Sequence, residues 1–147
     1  MASTRRVANP IAVRRYAVAE EPGREVVLTI GKPRSDPRPG GDWMCSVLIE
    51  GIPKERRWRA YGIDAVGALE DAMILARRKL DASKLTLVWL DGEPGAIGLP
   101  LSVPTGWGLD FQRRLERYLR REERQFARAV IAAGKARERR RGKTTAP

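Results

Sequence analysis

Apolar and polar positions alternate along the first sixty residues of the chain and then shift to a helical period, so strands are predicted first and helices after them. Over residues 11–19 the alternation puts Val13, Arg15 and Ala17 on one face and Arg14, Tyr16 and Val18 on the other. Glu20-Glu-Pro-Gly23 marks a turn. Residues 25–30 read as the clearest strand, with Val26, Leu28 and Ile30 sharing a face. Residues 32–41 carry prolines at 33, 37 and 39 and are predicted to be loop, because proline offers no ladder donor. Residues 42–50 form the next strand, apolar on both faces and hence central: Trp43, Cys45, Val47 and Ile49 against Met44, Ser46 and Leu48. Residues 55–61 alternate again, Arg57 and Arg59 on one side and Trp58 and Ala60 on the other. Four strands with short links predict an antiparallel meander.

Past Asp64, a natural helix cap, the stripe Val66, Leu69, Met73, Ala76, Leu80 predicts a helix buried along one side. Residues 85–90 form a fifth, continuously apolar strand expected to be buried on both faces. A Gly/Pro-rich connection over residues 91–108 is longer than most loops and so a candidate functional segment. From Leu109 a second helix returns, with Phe111, Leu115, Tyr118, Leu119, Phe126 and Val130 on the side expected to cover the sheet. The fold class expected is α+β: four-strand meander, helix, fifth strand, long Gly/Pro loop and long basic C-terminal helix. In domain terms this means a flexible start over residues 1–10, one domain over 11–133 and a basic disordered tail over 134–147.

Charge changes the picture at the C-terminal end. Of 29 Lys/Arg, thirteen lie in residues 111–147 with four Glu, a net +9, whereas residues 1–110 carry only +2. A local positive stripe attracts polyanions through counterion release and also suits an acidic protein partner. The chain has no histidine and one cysteine, Cys45. Zinc fingers and Cys–His nucleophilic sites are thereby excluded on ligand count, and an enzyme is disfavoured. No cofactor and no metal are expected. Neither a secretory leader nor a run of roughly 18–20 apolar residues that would span a membrane is read, and the lone cysteine suits a reducing cytoplasm.

The phrases Gly41-Asp-Trp-Met-Cys45, Ala60-Tyr-Gly-Ile-Asp64 and Leu87-Val-Trp-Leu-Asp-Gly-Glu-Pro-Gly95 resemble a family of small bacterial proteins of unknown function. The likeness runs from about residue 25 to residue 125. It implies one fold over that span with a variable basic tail, and it implies no activity, cofactor or catalytic residue.

Three constellations remain as candidate chemistry. Arg113, Arg117, Arg120, Arg121, Arg124 and Arg128 gather on the second helix, and Arg57 and Arg59 on the fourth strand could extend them into a nucleic-acid contact. The competing expectation is a solvated face, since Glu116, Glu122 and Glu123 are interleaved and suit intrahelical pairs. Asp91 and Glu93 leave the fifth strand, where two carboxylates could bind a metal or run acid/base chemistry, though Asp-Gly and Pro-Gly also suit plain turns. Trp107, between glycines, is either a partner or pocket residue or a pin for the loop. The function expected is that of a small cytoplasmic binding protein contacting nucleic acid non-specifically. The alternatives are a protein-interaction or regulatory module using residues 91–108 and, behind it, a carboxylate-based enzyme. Oligomeric state is left open.

Overall fold

The structure is a computed structural model that describes residues 7–38, 41–53, 56–103 and 106–144. Most of the expected flexible start (1–6), Pro39, Gly40 and the end of the tail (145–147) lie outside the described residues. The elements are β1 (Pro10–Val18), β2 (Glu25–Gly31), β3 (Arg34–Ser35), β4 (Trp43–Glu50), β5 (Arg56–Gly62), α1 (Ala65–Ala82), β6 (Leu87–Val88) and α2 (Leu109–Thr144). The fold class is α+β, as the pattern predicts. The chain forms two compact units, residues 1–102 and 103–147.

In the first unit every strand pairing is antiparallel. The meander runs β1–β2–β4–β5, with β6 on the outer edge of β1. The proline-rich stretch is not all loop: Arg34 and Ser35 pair with Met44 and Trp43. Ile30 lies opposite Val47 while Arg34 lies opposite Met44, so β3 prolongs β2 with the register shifted by one residue. Pro33, which has no N–H to give, sits in that irregularity, and the residues beyond it resume pairing. The N-terminal segment is also tied down where described. Val7 is buried, and Lys32 N–H donates to the Asn9 carbonyl at 2.8 Å.

One face of the sheet carries Tyr16, Val18, Val26, Leu28, Ile30, Cys45, Val47, Ile49 and Ala60, all buried with α1 packed over them. The helical stripe that meets the sheet is Ala68, Ala72, Ala76 and Leu80, which shares Ala76 and Leu80 with the predicted one and is otherwise turned towards the alanines. Leu69 and Met73 flank it half-buried, and Val66 is exposed. Small alanines win the contact because the strand comes very close. A Cβ on Gly62 would stand 2.2 Å from the Ala68 nitrogen. Asp64 caps α1 as expected, accepting from Gly67 N–H at 2.7 Å. At the other end the Ser83 hydroxyl donates to the Leu80 carbonyl at 2.6 Å.

The fifth strand is shorter and less buried than its apolar run predicts. Only Leu87 and Val88 pair with β1, Leu87 alone is fully buried, and Leu90 is exposed with a left-handed φ of 54°. An edge position explains this, because only one neighbour offers a ladder. Beyond it, residues 91–102 form a strap held by side chains. Arg14 donates to the carbonyls of Ile97 at 3.2 Å and Gly98 at 2.6 Å, and Tyr16 donates to Ile97 at 3.1 Å. Arg77 donates to Leu99 at 2.7 Å. The Arg14 guanidinium also lies 4.0 Å from the centre of the half-buried Trp89 ring.

In the second unit α2 runs 36 residues, continuing through Gly134 to Thr144 where fraying is predicted. A single interior glycine costs a helix only about 1 kcal/mol, and the helix formers around it outweigh that. The apolar side of α2, predicted to be buried, is exposed: Phe126 is 73% accessible and Val130 54%.

Candidate nucleic-acid interface

At 100° per residue, Arg113, Arg114, Arg117, Arg120, Arg121, Arg124 and Arg128 fall within a sector of roughly 120°, with the apolar positions facing the opposite way. Arg114, Arg117, Arg120, Arg121 and Arg124 border one shallow recess with Tyr118. Arg113 and Arg128 continue the stripe at either end. Arg114 belongs to this set although the pattern reading omits it, and its spacing of three from Arg117 is the signal that points to it.

The interleaved acids do little to neutralise the stripe. Within the stripe from Arg113 to Arg128, Arg121 pairs with Glu122 at 3.5 Å. Glu116 instead accepts from Gln112 at 3.1 Å. The Arg121 guanidinium also lies 5.3 Å from the Tyr118 ring centre. Four Arg–Arg pairs stand at i,i+4 (113/117, 117/121, 120/124 and 124/128). At about 0.2–0.5 kcal/mol each, like-charge pairs of this kind oppose the helix by on the order of 1–2 kcal/mol, which a bound anion relieves.

Arg57 and Arg59 lie in the first unit, on the face of β5 turned away from α1. The cations beside them are Lys32 and Arg34, which the loop reading of residues 32–41 kept from view. Each unit thus carries its own basic group.

Asp91 and Glu93 are both exposed in a turn closed by Gly92 N–H to the Trp89 carbonyl at 3.1 Å and Ala96 N–H to the Glu93 carbonyl at 3.0 Å. No group of three or more acidic or cysteine side chains among the described residues is placed to hold a metal ion. Trp107 is 76% exposed and tilts against Phe111, ring centres 6.3 Å apart. The predicted contact loop therefore divides between units, Asp91 and Glu93 in the first and Trp107 in the second. Cys45 is buried, its thiol against the Gly31 carbonyl at 3.1 Å, and burial pushes its pKa up. Burial likewise raises the Tyr16 phenol, offset in part by the hydrogen bond and charge of Arg14. Among the described residues no helix is long and apolar enough to cross a membrane.

The profile of a family described as Domain of unknown function (DUF6968) matches residues 12–101. That span starts in β1, earlier than the resemblance predicts, and stops one residue short of the boundary between the units, well before residue 125. Comparison with curated proteins and with solved structures gives no match.

Proposed function

The chain belongs to the family described as Domain of unknown function (DUF6968), and from its own residues we propose a binding protein that holds nucleic acid along the arginine face of α2. The observation that carries this reading is the exposed sector of seven arginines, of which only Arg121 has an ion-pair partner among the described residues. The stripe from Arg113 to Arg128 is roughly 22 Å long at 1.5 Å per residue. That places a cation about every 3.7 Å on average, comparable to the axial spacing of about 3.4 Å between phosphates along one strand. The contact in this reading is to phosphates, electrostatic and indifferent to sequence. A cytoplasmic setting belongs to the same reading, supported by the single unpaired cysteine.

The test is fluorescence anisotropy of labelled single- and double-stranded DNA and RNA with the full chain at about 50 and 200 mM salt. Engagement of about four phosphates gives a log–log salt slope near −3.6, hence a loss of about a hundredfold between those conditions. The triple variant Arg117→Gln, Arg121→Gln, Arg124→Gln is expected to flatten the slope and remove most of the binding. Absence of binding at the lower salt, or binding indifferent to the triple variant, defeats the proposal.

A second reading rests on a different observation: the exposed Trp107–Phe111 pair and the exposed apolar side of α2 form a surface suited to a protein partner. Binding to a partner that is lost on Trp107→Ala, and insensitive to the arginine variants, favours that reading instead.

A further inference from the structure

On the sheet face opposite α1, Lys32, Arg34, Arg57 and Arg59 surround a cleft of about 260 Å³ whose polar lining is completed by Asn9 and Ser46. The strand register builds it. Ser46 of β4 lies directly opposite Arg59 of β5, Leu48 opposite Arg57, and Met44 opposite Arg34 of β3. Alternation turns these side chains to one face, where Ser46 lines the cleft between the buried Met44 and Leu48 of the same strand. The wall is made by chain reversal at Asn9. Its φ of 50° is a left-handed turn that asparagine tolerates, and its carbonyl is fixed by Lys32 N–H. Gly31 lets this wall come close, since a Cβ there would stand 2.6 Å from Val7 Cγ1.

Lys32, Arg34 and Arg59 have no ion-pair partner among the described residues. The carboxylate that acts on Arg59 is Asp36, and Asp36 is already held by Arg38, whose Nε lies 3.0 Å from both its oxygens. Lys32, Arg34 and Arg59 around one small recess repel one another until an anion enters. We infer that this cleft binds a dianionic phosphate group, with Arg34 and Arg59 as guanidinium forks, Lys32 and Arg57 as further cations and Ser46 as a hydroxyl donor.

Charge points to the class of ligand, and the cleft of about 260 Å³ has room for a phosphate group. Four cations favour a dianion over a singly charged ion. That selects inorganic phosphate or a terminal phosphate monoester over chloride or the internal diesters of a nucleic acid strand. The cleft lies in the first unit and stands apart from the reading of α2.

The experiment is calorimetric and NMR titration of the full chain with inorganic phosphate, with chloride at matched ionic strength as the control. A second probe is a four-nucleotide oligomer with and without a 5′-phosphate. Saturable phosphate binding is expected, with Arg34→Gln and Arg59→Gln each weakening it by about tenfold or more. Arg59→Lys is expected to retain part of the affinity, because lysine keeps the charge and loses the fork. Arg117→Gln with Arg121→Gln leaves phosphate binding unchanged even if it abolishes nucleic-acid binding, so the two readings fail separately. All these side chains are exposed, and an unchanged melting temperature shows that the variants fold. Tighter binding of the phosphorylated oligomer than of inorganic phosphate identifies the end of a larger molecule, and the reverse order identifies free phosphate. A response no greater than that to chloride, or one unaffected by Arg34→Gln and Arg59→Gln, overturns the inference.

Discussion

Gly62 and Gly67 lie five residues apart at the junction of β5 and α1, and the same substitution at each is expected to have opposite signs. A Cβ on Gly62 would meet the Ala68 nitrogen at 2.2 Å, the Gly67 carbonyl carbon at 2.4 Å and the Ala68 Cα at 2.9 Å. All three are backbone atoms, so no side chain can swing aside. Contact at a normal separation of about 3.5 Å requires the first turn of α1 to retreat by roughly 1 Å, enough to forfeit a quarter to a half of each contact along the seam. That seam is Ala68, Ala72, Ala76 and Leu80, all fully buried. Overpacking of this kind costs about 2–3 kcal/mol, which lowers the melting temperature of a unit this size by about 10–20 °C. At Gly67 the added Cβ finds only ordinary neighbours, the Asp64 carboxylate oxygen at 3.4 Å and the Gly62 Cα at 3.7 Å. There alanine improves helix propensity and is expected to stabilise by about 0.5–1 kcal/mol. Urea melts followed by tryptophan fluorescence are the assay, since Trp43, Trp58 and Trp89 all lie in the first unit while α2 would dominate a helical dichroism signal. A Gly62→Ala protein within about 0.5 kcal/mol of the parent refutes the close approach of strand and helix. So does Gly67→Ala if it proves equally damaging.

Further outcomes follow from the same contacts. Asp64→Ala removes the cap of α1 and is expected to cost about 1 kcal/mol in the same urea melts, with Asp64→Asn close to neutral. Arg14→Leu removes both hydrogen bonds to the strap and the stacking on Trp89, so amide exchange across residues 95–100 is expected to accelerate by about tenfold or more, while the helical amides of α1 stay unchanged. Asp36 is held at about 2 by its hydrogen bonds to Arg38, below its ordinary value of 3.8. Because the folded value is the lower one, its contribution is complete above about pH 4, is lost as pH falls through about 2, and disappears in Asp36→Asn. A carbon-detected titration placing the Asp36 midpoint near 3.8 contradicts that pairing.

The parts of this fold that the sequence displays are those with unambiguous periodicity. Val26, Leu28 and Ile30 alternate cleanly and are buried together, and Asp64 followed by alanines marks the start of α1. The failures have identifiable causes. Hydrophobicity ranks Val66 above Ala68, but the seam of α1 is chosen by how closely β5 approaches, and small residues win there. The run of residues 85–90 is apolar because Leu87 enters the core and Leu85 and Trp89 pack against its edge, not because a central strand passes through. The candidate contact loop looked free because glycine and proline dominate it. The donors that hold residues 97–99 come from Arg14, Tyr16 and Arg77, distant in sequence and invisible to a local pattern. Lys32 and Arg34 were missed for a related reason: three prolines conceal a strand only two residues long.

The distribution of positive charge carries a functional consequence that the net value of +11 conceals. The family match ends at residue 101, and the first compact unit ends at residue 102. The match therefore covers the sheet, α1 and the strap, where the proposed phosphate cleft lies, and the arginine stripe of α2 falls outside it. If α2 holds nucleic acid as proposed, the stripe speeds encounter with a polyanion without selecting a sequence. If the cleft binds as proposed, it is the charge of a terminal phosphate dianion that distinguishes it there from an internal diester. The two basic groups need not act on one ligand at one time. Linkage would appear as phosphate-terminated oligomers binding the full chain more tightly than either the stripe variant or the cleft variant allows, by a factor larger than the two losses taken separately.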